Sequence, residues 1–166
     1  ALPALNACLL WCLRSATAVS EAAGAAQGVG GGGLPRGTAT ATKCIGGAQE
    51  ILGILVVSIR CWGRDLITGL VLETVTMLVG LFNDTQTGAL ASVLTGSESG
   101  AYLAGATLKL LSAVVKDHSH AVDELVPQIW GLTLDRLAPV AMDERFTIDL
   151  LPSLINFISQ LISNKA

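Results

Sequence analysis

The sequence predicts an all-α protein: a single helical domain over residues 1–166, folded as a compact bundle of about five or six helices with a Gly-rich loop at 27–38 after the first. Three observations carry that prediction. Apolar residues recur at helical spacing through three stripes between residues 99 and 163. Capping residues and prolines stand where those stripes start or restart. The N-terminal stretch is rich in Ala and Leu, and glycines end it.

Residues 2–26 place Leu5, Leu9, Cys12 and Leu13 at helical spacing, with Ser20 and Glu21 closing the polar side. The helix is expected to stop at Gly24. Residues 28–33 hold five glycines in six positions, which reads as a flexible linker or a bare packing surface. A phosphate cradle would need a strand before such a run and a helix directly after it. A helix precedes it and Pro35 follows, so nucleotide binding is rejected.

Residues 40–82 are the most apolar part. Runs at 51–59 and 66–72 flank a polar joint at 60–65. Neither run reaches the ~18 uninterrupted apolar residues of a bilayer-spanning helix. Extending the second to Phe82 puts Glu73 near the membrane centre, at a cost of several kcal/mol. Being apolar on all sides, 45–82 reads as a central helical segment, although its Val, Ile and Thr content also fits a buried strand pair. Helix is the preferred reading.

A polar loop follows at 83–86, then a short apolar piece at 89–94. Ser97, Glu98, Ser99 and Gly100 supply N-cap candidates for a helix whose face is Leu103, Thr107, Leu110, Leu111 and Val114. Lys116 closes it where the helix dipole favours a cation. From Ser119, the positions Val122, Leu125, Val126, Ile129, Trp130 and Leu137 repeat the pattern, with a kink or restart at Pro127. The last helix takes Asp149 as N-cap and Pro152 in its first turn. Leu150, Leu151, Leu154, Ile155, Ile158, Leu161 and Ile162 form its stripe. Ser153, Asn156, Ser159, Gln160 and Ser163 form an opposite face with no charge before Lys165.

Charge is sparse. Asp, Glu, Lys and Arg make up 14% of the residues, against about 25% in an ordinary soluble domain, and mean hydropathy is +0.61. Net charge is −3, without a Lys/Arg cluster, and the three Trp and three Phe are dispersed. Nucleic acid is therefore excluded as a partner. The outer layer is expected to be covered by partner subunits or an apolar ligand, or wetted by Ser, Thr, Gly and glycan.

The apolar opening at 1–13 has no basic residue before it and Arg14 after it, the reverse of a signal peptide, so it reads as mature sequence. Four cysteines permit two disulfides in any of three connectivities. Their spacing does not suit zinc, and the alternative is four buried thiols. Cys8 and Cys12, one turn apart on one face, are expected to reach outward to Cys44 and Cys61 and tie the first helix to the apolar segment. Such a bridge would contribute roughly 3–4 kcal/mol. Asn83, with Asp84 and Thr85, is an N-glycosylation acceptor. Together with the cysteines it points to a secreted, extracellular glycoprotein.

Catalytic candidates do not assemble. Asp117, His118 and His120, with Asp123 and Glu124 nearby, could hold a metal, but a solvated turn between two helices is the preferred reading. Any Ser-His-Asp or Cys-His arrangement would have to use these two histidines. Glu73 is the ligand-binding candidate. A carboxylate buried in an apolar run must find a cation or donor, and Arg60 or Arg64 could serve. It would then anchor the headgroup of an apolar ligand; the plainer alternative is an edge or partner-facing residue. Asp143, Glu144 and Arg145 read as a solvated loop, with Asp135 and Arg136 as salt-bridge partners. Trp11, Trp62 and Trp130 read as core or interface anchors.

The expectation is a non-enzymatic structural or storage-type subunit that self-associates, or joins a larger homo- or hetero-oligomer, through apolar faces. The alternative is a secreted carrier of a lipid or other apolar ligand, such as a pigment or fatty acid, with no other cofactor. A small membrane-complex subunit packed through 45–82 ranks third.

Overall fold

The computed structural model describes residues 2–26, 36–62, 64–83 and 97–165, and the backbone alone for 2, 20–26, 36–39, 64–66 and 165. Among these residues the structure is all-helical, with no strand. Helix α1 is Leu2–Ala26, α2 Arg36–Cys61, α3 Arg64–Asn83 and α4 Glu98–Asp117. A composite segment follows: a 3₁₀ stretch Ser119–Leu125, α5 Val126–Leu132, a π-helical stretch Thr133–Leu137 and α6 Ala138–Ala141. Helix α7, Thr147–Lys165, ends the fold. The apolar segment 45–82 is thus two helices and not a strand pair. Of the Gly-rich stretch, 36–38 belong to α2 and 27–35 lie outside the described residues, as do the loop at 84–86 and the apolar piece at 89–94.

Helix α1 lies along α2, α2 along α4 and α4 along α7, while α3 packs on α1, the 3₁₀ stretch and α5. Helix α4 is the central one, with twelve of its twenty residues buried. This corrects the expectation that 45–82 supplies the centre. Neighbours cover only part of α2, whose Ile54 and Val57 are exposed. Among the described residues one stretch, Thr40–Cys61 in α2, is nevertheless long and apolar enough to cross a membrane.

Helix α4 follows the local code closely. Ser97 is extended, and its hydroxyl accepts the Gly100 N–H at 3.0 Å, a cap worth about 1 kcal/mol. Leu103, Thr107, Leu110, Leu111 and Val114 are all buried as expected, and Thr107 satisfies its hydroxyl on the Leu103 carbonyl at 2.9 Å.

Pro127 marks the change from 3₁₀ to α, where its missing N–H is not needed. The π stretch has a local cause as well. Pro139 cannot donate to the Asp135 carbonyl, and its ring would crowd that oxygen in a regular helix. A wider turn relieves the clash, and Ala138 N–H bonds back to the Thr133 carbonyl.

Helix α7 starts earlier than its sequence suggested. Asp143 organises the turn before it: its carboxylate accepts the Arg145 N–H at 3.0 Å, and its carbonyl accepts the Thr147 N–H at 2.9 Å and hydroxyl at 2.7 Å. Asp149 is therefore an acidic first-turn residue and not the N-cap. Pro152 falls inside the helix. The carbonyl its absent N–H would have met belongs to Ile148, which is 88% exposed, so water can serve it. The apolar stripe also divides. Leu150, Leu154, Phe157 and Leu161 are buried, whereas Ile148, Ile155 and Ile162 are exposed and Leu151 and Ile158 half-buried.

Candidate functional site

Helices α2, α4 and α7 run side by side in the same direction. Gln49 Nε2 donates to the Ser99 carbonyl at 3.1 Å, fixing the middle of α2 against the start of α4. Gly105 does the same between α4 and α7: a Cβ there would stand 2.9 Å from Leu150 Cδ2, so only glycine lets Leu150 approach undisturbed. A groove of about 610 Å³ remains among the three helices, floored by Gly53, Val56, Gly105, Ala106 and Leu150. Gly53 contributes open space, since a Cβ there would meet nothing within 4 Å.

The two ends of the groove differ in charge. Tyr102 and Asp149 stand at the α4 start, beside Glu98. Tyr102 hydroxyl donates to Glu98 Oε1 at 3.0 Å, and this bond, followed by the carboxylate's charge, raises the phenol pKa. At the other end a hollow of about 150 Å³ shares Lys109 and Ser153 with the groove and adds Arg60, Lys116 and Gln160. No carboxylate lines that hollow among the described residues. Such an arrangement of ammonium, guanidinium, hydroxyl and amide groups can hold an anion.

The residues singled out from sequence lie elsewhere. Glu73 is exposed on α3, because Leu70, Val71, Thr74, Val75 and Leu78 form the buried face and Glu73 falls opposite them. The burial argued for it is corrected. Arg60 turns to the groove, and the Arg64 side chain lies outside the described residues.

The disulfide expectation is corrected too, since Cys8, Cys12, Cys44 and Cys61 are all free. Cys12 is buried at the α1–α2 seam, with its Sγ 3.3 Å from where a Gly47 Cβ would stand. Burial raises its thiol pKa, and the neighbouring Cys44 and Cys8 raise it further. Cys44 and Cys61 are both on α2, about 25 Å apart at the helical rise. They cannot both meet two cysteines that lie one turn apart on α1.

Asn83 is the exposed last residue of α3, and the other two members of its triplet lie outside the described residues. His118 is buried, while His120 is exposed with Nδ1 3.8 Å from an Asp123 carboxylate oxygen. No group of three metal-ligating side chains converges among the described residues. Arg145 pairs with Asp143 rather than with 135–136, at 2.6 and 3.0 Å, which lowers the Asp143 pKa to about 2. Trp11 and Trp62 are exposed and so are not core residues, while Trp130 packs against the core.

The basic end of the groove was missed by sequence reading. One signal was present: Lys109 and Lys116 are seven residues apart and share a helix face. Arg60 joins them only through the packing of α2. Comparison with known proteins finds no matching family model, no similar curated protein and no similar solved structure.

Proposed function

We propose that this chain is a non-enzymatic structural or storage-type subunit, one compact helical bundle that pairs with a second copy of itself through the outward face of α7. The observation that carries the reading is the second apolar stripe. Ile148, Leu151, Ile155, Ile158 and Ile162 alternate at three- and four-residue spacing, the seam by which like helices pack. The helix therefore carries a second apolar line beside its core face: among the described residues Ile148, Ile155 and Ile162 are exposed along it, while Leu151 and Ile158 also pack against the core. A shallow hollow of about 680 Å³ beside Ile148, Leu151, Pro152 and Ile155 can accept a partner's side chains. No charge lies on the stripe, and Asn156, Ser159 and Ser163 flank it with neutral hydrogen-bonding groups, as at an interface rim. Net charge of only −3 offers little repulsion to association.

Analytical ultracentrifugation tests this directly. Wild-type chain sediments as a dimer or larger oligomer at micromolar concentration. Ile155→Glu sediments as a monomer with unchanged far-UV circular dichroism. A monodisperse wild-type monomer without detergent or lipid refutes the reading. The extracellular setting rests on Asn83 alone, now that the cysteines are free; a mass shift on glycosidase treatment of protein from its source checks it.

A membrane-complex subunit is the second reading, supported by the length and exposed apolar face of α2. Flotation with phosphatidylcholine vesicles separates the two, because a structural subunit of the aqueous phase stays at the bottom of the gradient.

A further inference from the structure

The geometry points to a binding site for a long-chain carboxylate in the groove among α2, α4 and α7, with the carboxylate at Arg60, Lys109 and Lys116 and the chain along Gly53, Val56 and Leu150. The chain has only 10 Lys and Arg in all, and three of them line one hollow of about 150 Å³. Arg60 and Lys116 stand in the last turns of α2 and α4, where the helix dipole already favours a cation. Lys109 has no such reason to be there. It sits two turns before the end of α4 and adds like-charge repulsion, which a bound anion relieves. Among the described residues, none of the three cations is in an ion pair.

Two further observations point the same way. Gln160 lines the hollow with its Oε1 buried and without a hydrogen-bond partner; its Nε2 makes only a long 3.5 Å bond to Asn156 Oδ1, and turning the amide exchanges that bond for N–H donors aimed at an anion. Gly53 leaves open space on the groove side, so the floor is not consumed by helix packing as it is at Gly105. The groove runs about 16 Å from Gln49 to Arg60 at the helical rise, enough for about the first twelve carbons of an extended acyl chain, the end of a longer tail reaching past Gln49. Asp149 and Glu98 at the far end repel a carboxylate there, and this fixes the orientation. The anchor is thus a cationic cluster, on different helices from Glu73.

Isothermal titration with palmitate, methyl palmitate and inorganic phosphate tests the assignment. Palmitate binds saturably at one site per chain. The methyl ester, which has the chain without the charge, binds at least about tenfold more weakly, and so does phosphate, which has the charge without the chain. Lys109→Gln weakens palmitate binding about tenfold, as expected for loss of one charge-assisted contact, and high salt weakens the wild type. Gly53→Leu, whose Cβ would meet nothing within 4 Å, projects its side chain into the groove and abolishes binding, while thermal melts show both variants folded. Ile155→Glu, which breaks the proposed dimer, still binds palmitate, so the two proposals fail separately. Equal affinity for the ester overturns the carboxylate site, and equal affinity for phosphate overturns the acyl groove. Binding unchanged in both Lys109→Gln and Gly53→Leu places the ligand elsewhere and overturns the whole assignment.

Discussion

Replacing Asn6 by Leu should stabilise the protein, although Asn6 is hydrogen-bonded. Asn6 is 3% exposed on α1 and faces Thr74 on α3. Thr74 Oγ1 lies 2.7 Å from Asn6 Oδ1 and 2.7 Å from the Leu70 carbonyl. A hydroxyl has one proton, so it cannot donate to both. The contradiction resolves if the Asn6 amide is turned, its NH₂ donating to Thr74 while Thr74 donates to Leu70. In either orientation the other amide atom is buried without a partner, the position now assigned to Nδ2. An unmet buried polar group costs about 1–3 kcal/mol. Asn6→Leu removes it and leaves Thr74 bonded to Leu70. Allowing for imperfect shape, the expected gain is about 1–2 kcal/mol. Thr74→Val does the reverse, stranding the whole amide, and should cost about 1–3 kcal/mol. The double variant should recover most of that loss, a coupling that a double-mutant cycle reads directly. Urea unfolding followed by far-UV circular dichroism supplies all four free energies. Destabilisation by more than about 1 kcal/mol in Asn6→Leu would refute the reasoning, since it would mean that the amide is fully satisfied.

Three other outcomes are expected. Phe157→Ala, at a position with 0% exposure, should lose about 3–5 kcal/mol in urea unfolding, whereas Ile148→Ala should stay within about 0.5 kcal/mol in the monomer. The Asp143 carboxyl should titrate by NMR at about 2 against an ordinary 3.8, and Arg145→Gln should return it toward that value. Because the folded pKa is the lower one, the pair's contribution is present above about pH 4 and is lost as pH falls toward 2. Mass-spectrometric thiol labelling should modify Cys8 and Cys61 quickly and Cys12 slowly, with the Cys12 rate rising only at higher pH because burial holds its thiol protonated.

Helix α4 was legible because its instructions are local: a serine cap, one apolar stripe and a closing lysine, each acting within a turn or two. Helix α7 was only half legible. Its Leu and Ile positions cover more than one face, and periodicity cannot say which apolar stripe meets the core. Phe157 settles that in the structure, completing the buried line of Leu150, Leu154 and Leu161, yet by itself it is one more apolar residue. Glu73 was readable in principle. It stands opposite the face formed by Leu70, Thr74 and Leu78, and treating 66–72 as buried all round obscured that. The cysteine pairing failed for want of a length: 44 and 61 look interchangeable until both are placed on one long helix. The groove was beyond local reading altogether, because Arg60, Lys109 and Gln160 come from three helices whose parallel course no single segment encodes.

The π stretch at Thr133–Leu137 gives the chain tolerance to a change of length. In a regular buried helix, deleting one residue turns everything downstream by about 100°, which in α4 would drive Lys109 or Lys116 toward the core. A π turn already holds one residue more than an α turn needs. Losing one from 133–137, with Pro139 replaced so that its ring no longer crowds the carbonyl four residues back, lets the stretch close as α-helix while Val140 and Ala141 keep the direction they now face. Sequences diverging from this one can therefore differ in residue number here without disturbing the packing of the helices on either side.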